Sequence, residues 1–275
     1  MARTSANRSP SRYYKFSFCD GLEALSAKNH KTPFPFHFHP TFNITLVYDG
    51  AFNTKLPGRL VIAPSGSILI TNPQEIHANP FEADGYVSFF TFYVSREFLQ
   101  YCNGGSPVLF VDKTIDDADL FSSLHQLAIR LSGQGNSPFL ENDLKAALGL
   151  LAAKYGSGHA PDPDRTQILF DELLAGDFFE KFSLAEAAKR FGIDKYKFIR
   201  LFKYQTGLTP NNYFIYKRIE KSKSMLTEGK DLLSVAIDLG FYDTAHYCNH
   251  FKKFTGISPK AYIVSPKSKQ KRNQT

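Results

Sequence analysis

The run "LFKYQTGLTP" ends at Pro210, and a close copy, "HFKKFTGISP", ends at Pro259, 49 positions later. An aromatic residue, lysine, Thr-Gly and a Ser/Thr-Pro pair recurring at that interval mark one supersecondary unit built twice. Each Ser/Thr-Pro pair is a helix start, because proline at the first helical position costs no hydrogen bond. The residues before each copy carry the same grammar. Ser183 with Glu186 forms a capping box, which predicts a helix to Arg190. Gly192 then supplies a turn, and Asp194 caps a second helix with Phe198, Leu201 and Phe202 inward and a basic outer face. In the second copy Val235, Ala236 and Leu239 form the inner stripe, Gly240 turns, Asp243 caps, and Tyr247 and Phe251 anchor the final helix. A short helix, a glycine turn and a second helix with a polar outer face make a helix-turn-helix, here present twice.

The 275 residues leave room for a second domain with its own core. Charge separates the two halves. Residues 1–160 hold 13 Lys+Arg against 13 Asp+Glu, whereas from Phe182 onward 18 bases meet 7 acids, a local excess of 11. A polyanion partner for the C-terminal part follows from that asymmetry. The stretch "YGSGHAPDPDR" reads as an exposed linker. Upstream, 13–111 is dense in short aromatic and β-branched runs such as "FNITLVYDG" and "GYVSFFTFYVS", the pattern of a β-barrel or sandwich. Two amphipathic helices follow, with Leu120, Leu124, Leu127 and Leu131 on one and Leu140, Leu144, Leu148 and Leu151 on the other. The expected division is a flexible arm 1–12, an effector-binding and dimerisation domain 13–155, a linker 156–165, a DNA-binding domain 166–265 and a basic tail 266–275. Few contacts are expected to cross the linker.

From Thr166 to Ser265 the chain resembles the AraC/XylS family of transcription regulators, through "LAEAAKRFGID", "FIRLFKYQTGLTP", "YKRIEKSKSML" and "VAIDLGFYDTAHYCNHFKKFTGISPKAY". It departs from the usual pattern at Ser222, where relatives carry alanine. The resemblance implies an N-terminal cupin-like barrel with two following helices and an all-α C-terminal domain with two helix-turn-helix units. It also implies operator DNA, a small organic effector and a second copy of the chain as partners, with RNA polymerase as a candidate partner. A helix over Pro210 to Glu228, about 28 Å long, suits two reading helices placed one DNA turn, about 34 Å, apart.

Within the reading helices, Arg200 offers a planar fork for guanine, while Tyr196, Lys197 and Lys203 match a DNA-facing surface that includes phosphate contacts. In the second unit Asn249 suits adenine, Thr244 and Ala245 suit a thymine methyl, and His246 suits a base or phosphate. In the barrel, His37, His39 and His77 with Asn43 resemble the ligand positions of metal-binding cupins, but Asn43 stands where such sites carry glutamate. The missing carboxylate argues against a metal. The expectation is therefore an effector-binding cluster with no metal and no cofactor, taking an organic ligand with carboxylate or hydroxyl groups. No catalytic triad, phosphate loop or zinc-finger spacing is present, so no enzyme activity is expected. The rival reading is a metal-dependent cupin enzyme tethered to a nucleic-acid-binding domain. Three scattered cysteines and the lack of a membrane-length apolar run read as a cytoplasmic protein working at the nucleoid.

Overall fold

The computed structural model describes residues 11–80, 85–133, 139–157, 183–265 and 267–268. The expected arm 1–12, linker 156–165 and tail 266–275 lie largely outside them. Nine strands come from the N-terminal half: β1 (Arg12–Phe16), β2 (Glu23–His30), β3 (Phe34–His37), β4 (Phe42–Leu56), β5 (Arg59–Pro64), β6 (Ile68–Thr71), β7 (His77–Asn79), β8 (Val87–Val94) and β9 (Thr114–Ile115). A tenth, β10 (Lys267–Ser268), runs parallel to β1. The main sheet has the order β10-β1-β2-β8-β4-β6-β9. β4 holds it together, pairing antiparallel with β8 and β6 and, beyond Gly50, with β5 and β7. Gly50 permits that change of partner. Its φ is +73°, and a Cβ there would collide with the Tyr86 carbonyl, so only glycine fits.

β4 and β8 are buried almost continuously, over "FNITLV" and "VSFFTF", because both faces of the sheet are covered. One face looks into the barrel. The other is packed by α1 (Arg96–Cys102), α2 (Ala118–Ser132) and α3 (Leu140–Tyr155). All eight leucines of the two amphipathic stripes are buried against Phe42, Ile44, Phe90 and Phe92. They complete the core of their own domain and are not available to a second chain. Outward, α2 and α3 present Ile129 and Leu150, 52% and 54% exposed, and Arg130 bridges to Asp143 at 2.6 Å.

The C-terminal helices are α4 (Leu184–Arg190), α5 (Lys195–Thr206), α6 (Pro210–Thr227), α7 (Leu232–Asp238), α8 (Thr244–Thr255) and α9 (Pro259–Ile263). The expected caps form: Ser183, Asp194, Asp243, Thr209 and Ser258 each accept from a backbone N–H in the first turn of the helix that follows. The repeated motif has repeated wiring. The Thr206 hydroxyl lies 2.7 Å from the Phe202 carbonyl and 3.0 Å from that of Leu208, and Thr255 makes the same pair of approaches, at the same distances, to Phe251 and Ile257. Gly207 and Gly256 follow in the left-handed region. Each threonine thus occupies carbonyls freed at a helix end, and each glycine turns the chain into the next capped helix. Ser222 is fully buried, and its hydroxyl donates to the Ile219 carbonyl at 2.6 Å, so the departure from alanine leaves no unsatisfied polar group.

The two halves are not joined by a linker alone. One continuous apolar cluster includes Leu25, Phe34, Phe38 and Phe89 of the barrel with Phe202, Tyr213, Tyr216 and Phe254 of the helices. A Cβ on Gly256 would touch the Phe34 ring at 3.0 Å, and one on Gly207 would collide with Ile76. Both Thr-Gly turns therefore sit on the barrel rim. The expectation of few crossing contacts does not hold, because the rim is itself apolar and the helical domain covers it.

Candidate functional site

The helix-turn-helix units present the residues expected to meet DNA. On α5, Phe198 and Phe202 are fully buried, which turns Tyr196, Lys197, Arg200 and Lys203 outward, all exposed. Tyr196 is 64% exposed and has the Lys195 ammonium 5.1 Å from its ring centre. On α8, Tyr247 and Phe251 are fully buried, Ala245 and Asn249 are exposed, and Thr244 is half-buried. His246 departs from the expected free face. It is half-buried against Phe241, and its Nε2 lies 3.0 Å from Nε2 of His250, so one turn of α8 ties it into a histidine pair. The sequence reading omitted Tyr242, 92% exposed in the turn before α8, and exposed Lys252 and Lys253 further along it. A run of exposed polar residues at three- and four-residue spacing was the available signal. Arg218 of α6 donates to the Gly240 carbonyl at 3.1 Å, fixing the second unit to the connecting helix.

The three barrel histidines also come together. His37 ends β3, His77 begins β7 opposite it in register, and His39 follows two residues on. The three ring centres lie 4.3, 4.8 and 5.5 Å apart, and all three side chains are buried. His37 Nδ1 is 2.6 Å from the Pro35 carbonyl, and His77 Nδ1 is 2.8 Å from that of Glu75. Burial, with neighbouring imidazoles adding to it for His37 and His39, pushes their pKa values well below the usual histidine range. Burial also lowers that of His77. The loop before His77 is pinned from outside: Glu75 pairs with Lys113 at 2.8 Å and accepts from the Asn72 backbone, while the Asn72 side chain exchanges two 2.9 Å hydrogen bonds with the Phe110 backbone.

The three histidines and Asn43 line a chamber of about 40 Å³, together with Thr71 and, from the other domain, Phe254. That volume holds a few waters and no organic metabolite. Thr71 Oγ1 is buried there with no hydrogen-bond partner among the described residues. Next to the chamber is a larger cleft of about 380 Å³, between β1, β2 and β8 of the barrel and α6. His39 and Tyr93 line both spaces. In the cleft, Glu23 accepts from Tyr13 at 2.6 Å and from Tyr262 at 3.1 Å, and Lys223 pairs with Glu220 at 2.8 Å. Burial works against the Lys223 charge, but the Glu220 and Glu23 carboxylates outweigh it and raise its pKa. Lys15 lies 3.2 Å above the Tyr262 ring centre. Sequence spacing did not single out the cleft, because its walls come from strands and a helix about 200 positions apart, as in the pair Glu23 and Tyr262, 239 apart.

A barrel with a small polar chamber, joined to two helix-turn-helix units with basic outer faces, defines a ligand-responsive DNA-binding regulator. The comparisons agree: residues 21–148 match the AraC-like ligand binding domain and residues 187–264 a helix-turn-helix domain. The chain is a transcription regulator of the AraC family, and not an enzyme. It is 25% identical to the HTH-type transcriptional regulator YbfI of Bacillus subtilis, over 82% of this chain and 85% of that one. It is 29% identical to the transcriptional activator RhaS of Escherichia fergusonii, over 58% and 59%. The fold is similar to that of ToxT from Vibrio cholerae in an unsaturated fatty acid bound structure, with a TM-score of 0.55 at 13% identity, covering 96% of this chain and 98% of that one. No helix among the described residues is long and apolar enough to cross a membrane.

Proposed function

We propose that this regulator reads its operator through Arg200, Asn249, Thr244 and Ala245 and positions itself with Tyr196, Lys197 and Lys203, with His246 at a base or phosphate. The domain division at 13–155 and 166–265 is kept as the working one, with two copies of the chain on one operator and RNA polymerase as a downstream partner. Ile129 and Leu150, the outward apolar residues of α2 and α3, are the proposed dimer contacts, in place of the buried leucines. The effector is a small organic molecule whose body occupies the 380 Å³ cleft, a volume in the usual range for ligand sites. It reaches His39 at the shared wall, with His37, Asn43 and His77 behind. The single observation that carries this is that the cleft lies between the barrel and α6, the helix that joins the two reading units. A ligand there makes different contacts in docked and undocked arrangements, and so shifts their populations and with them operator affinity.

The experiment is a metabolite screen by thermal shift on the full chain, followed by operator binding with each hit. Ser224→Trp, at an exposed cleft position, fills the space. It is expected to abolish the response to a hit while leaving DNA binding intact. An unchanged response in that variant refutes the cleft as the effector site.

A further inference from the structure

We propose that His37, His39 and His77 form a binding site for one divalent transition-metal ion of the zinc class. Each side chain brings one nitrogen to a set lying within 4.8 Å of one another. Nitrogens bound tetrahedrally to one zinc ion lie roughly 3.4 Å apart at metal distances of about 2.0–2.1 Å, so the widest pair closes by at most about 1.4 Å, a side-chain adjustment. The tautomers point the same way. A carbonyl only accepts, so the contacts to Pro35 and Glu75 require that Nδ1 of His37 and of His77 carry the proton. Nε2 is then the bare nitrogen on both rings. Metal-ligating histidines have this outer shell, one ring N–H donated to a backbone carbonyl and the other nitrogen left for the metal.

Burial favours the neutral form of all three imidazoles, which is the form that binds metal. The three rings share the chamber lining with Phe34, Phe52 and Phe89 and with the polar Asn43, Thr71 and Asn79. The chamber of about 40 Å³ accommodates an ion with a water or two, and little else. Asn43 instead of a carboxylate removes a charge but does not remove the site, since three neutral histidines suffice for zinc when the fourth position is left to water or an outside ligand. Asn43 and the unpartnered Thr71 hydroxyl are polar groups of the chamber wall, able to hydrogen-bond such a water. This inference stands independently of which effector fills the cleft.

The test uses the full, untagged chain, stripped with a chelator and titrated with Co²⁺ and Zn²⁺. One Co²⁺ per chain with a visible d–d band of low-coordinate nitrogen ligation is expected, and Zn²⁺ is expected to displace it and to raise the melting temperature. The His37→Gln/His77→Gln variant is expected to lose at least a hundredfold in affinity. Asn43→Asp is expected to bind more tightly than the parent, a gain that misfolding cannot produce. Absence of a cobalt band in the parent chain overturns the proposal. So does unchanged affinity in the double histidine variant, which moves the ion elsewhere, for example to His246 and His250.

Discussion

The docking of the Thr-Gly turns on the barrel rim makes a quantitative prediction through Gly207. Its φ of +64° already disfavours any side chain, so Gly207→Ala carries a backbone cost of about 1–2 kcal/mol. Gly192 provides the control, with the same φ of +64° and nothing within 4 Å of an added Cβ. Gly192→Ala is therefore expected to show the backbone cost alone. Gly207→Ala adds a collision with the Ile76 side chain across the domain boundary, and relieving it by overpacking or undocking costs roughly another 1–3 kcal/mol. Ile76→Ala removes the obstructing branch. In a double-mutant cycle on the full chain, followed by urea unfolding, the Gly207→Ala and Ile76→Ala effects should fail to add by about 1 kcal/mol or more, the pair being less damaged than the sum. Additivity within about 0.3–0.5 kcal/mol, or equal destabilisation by Gly207→Ala and Gly192→Ala, would refute the docked arrangement.

Arg200→Ala is expected to cost about 1–3 kcal/mol at the operator and to relax preference at one base position, whereas Lys203→Ala should weaken binding to all sequences alike and reduce the salt slope; electrophoretic or fluorescence titrations at several salt concentrations separate the two. Ile129→Asp with Leu150→Asp is expected to shift the chain toward monomer in sedimentation equilibrium without lowering its melting temperature, and an unchanged association constant removes these residues from the dimer contact. Asp117 caps α2 and accepts from Lys154 and from Tyr155, both at 2.7 Å, and the Lys154 hydrogen bond foremost holds its pKa below the usual carboxylate range. A depressed folded-state pKa stabilises above the unfolded value of about 4 and is lost as pH falls through the folded one. The stability gap between the parent and Asp117→Asn is accordingly expected to be full at neutral pH and to shrink under acid, and a gap that widens under acid contradicts the assignment.

What the sequence determined by itself was the double helix-turn-helix. Its specifying interactions run between residues close in the chain: Ser183 to Glu186, Asp194 to the next turn, Thr206 to Phe202 and Leu208. Such contacts depend on residue type and short spacing, so a repeated motif reports a repeated structure. The amphipathic helices after the barrel were legible for the same reason. Their destination was not, because a leucine stripe has the same period whether it faces a sheet of its own chain or a second copy. Only the tertiary structure placed those leucines in one core with Phe42 and Phe92 and left Ile129 and Leu150 exposed. The histidines were visible as residues, but their chemistry was not. The tautomers of His37 and His77 are set by the Pro35 and Glu75 carbonyls, in a chamber that Phe254, more than 170 positions away, also lines. Pairings such as Gly256 with Phe34 and Tyr262 with Glu23 join surfaces that each half makes independently. Local pattern encodes the faces; which face meets which is decided by the shape and apolar area they present once folded.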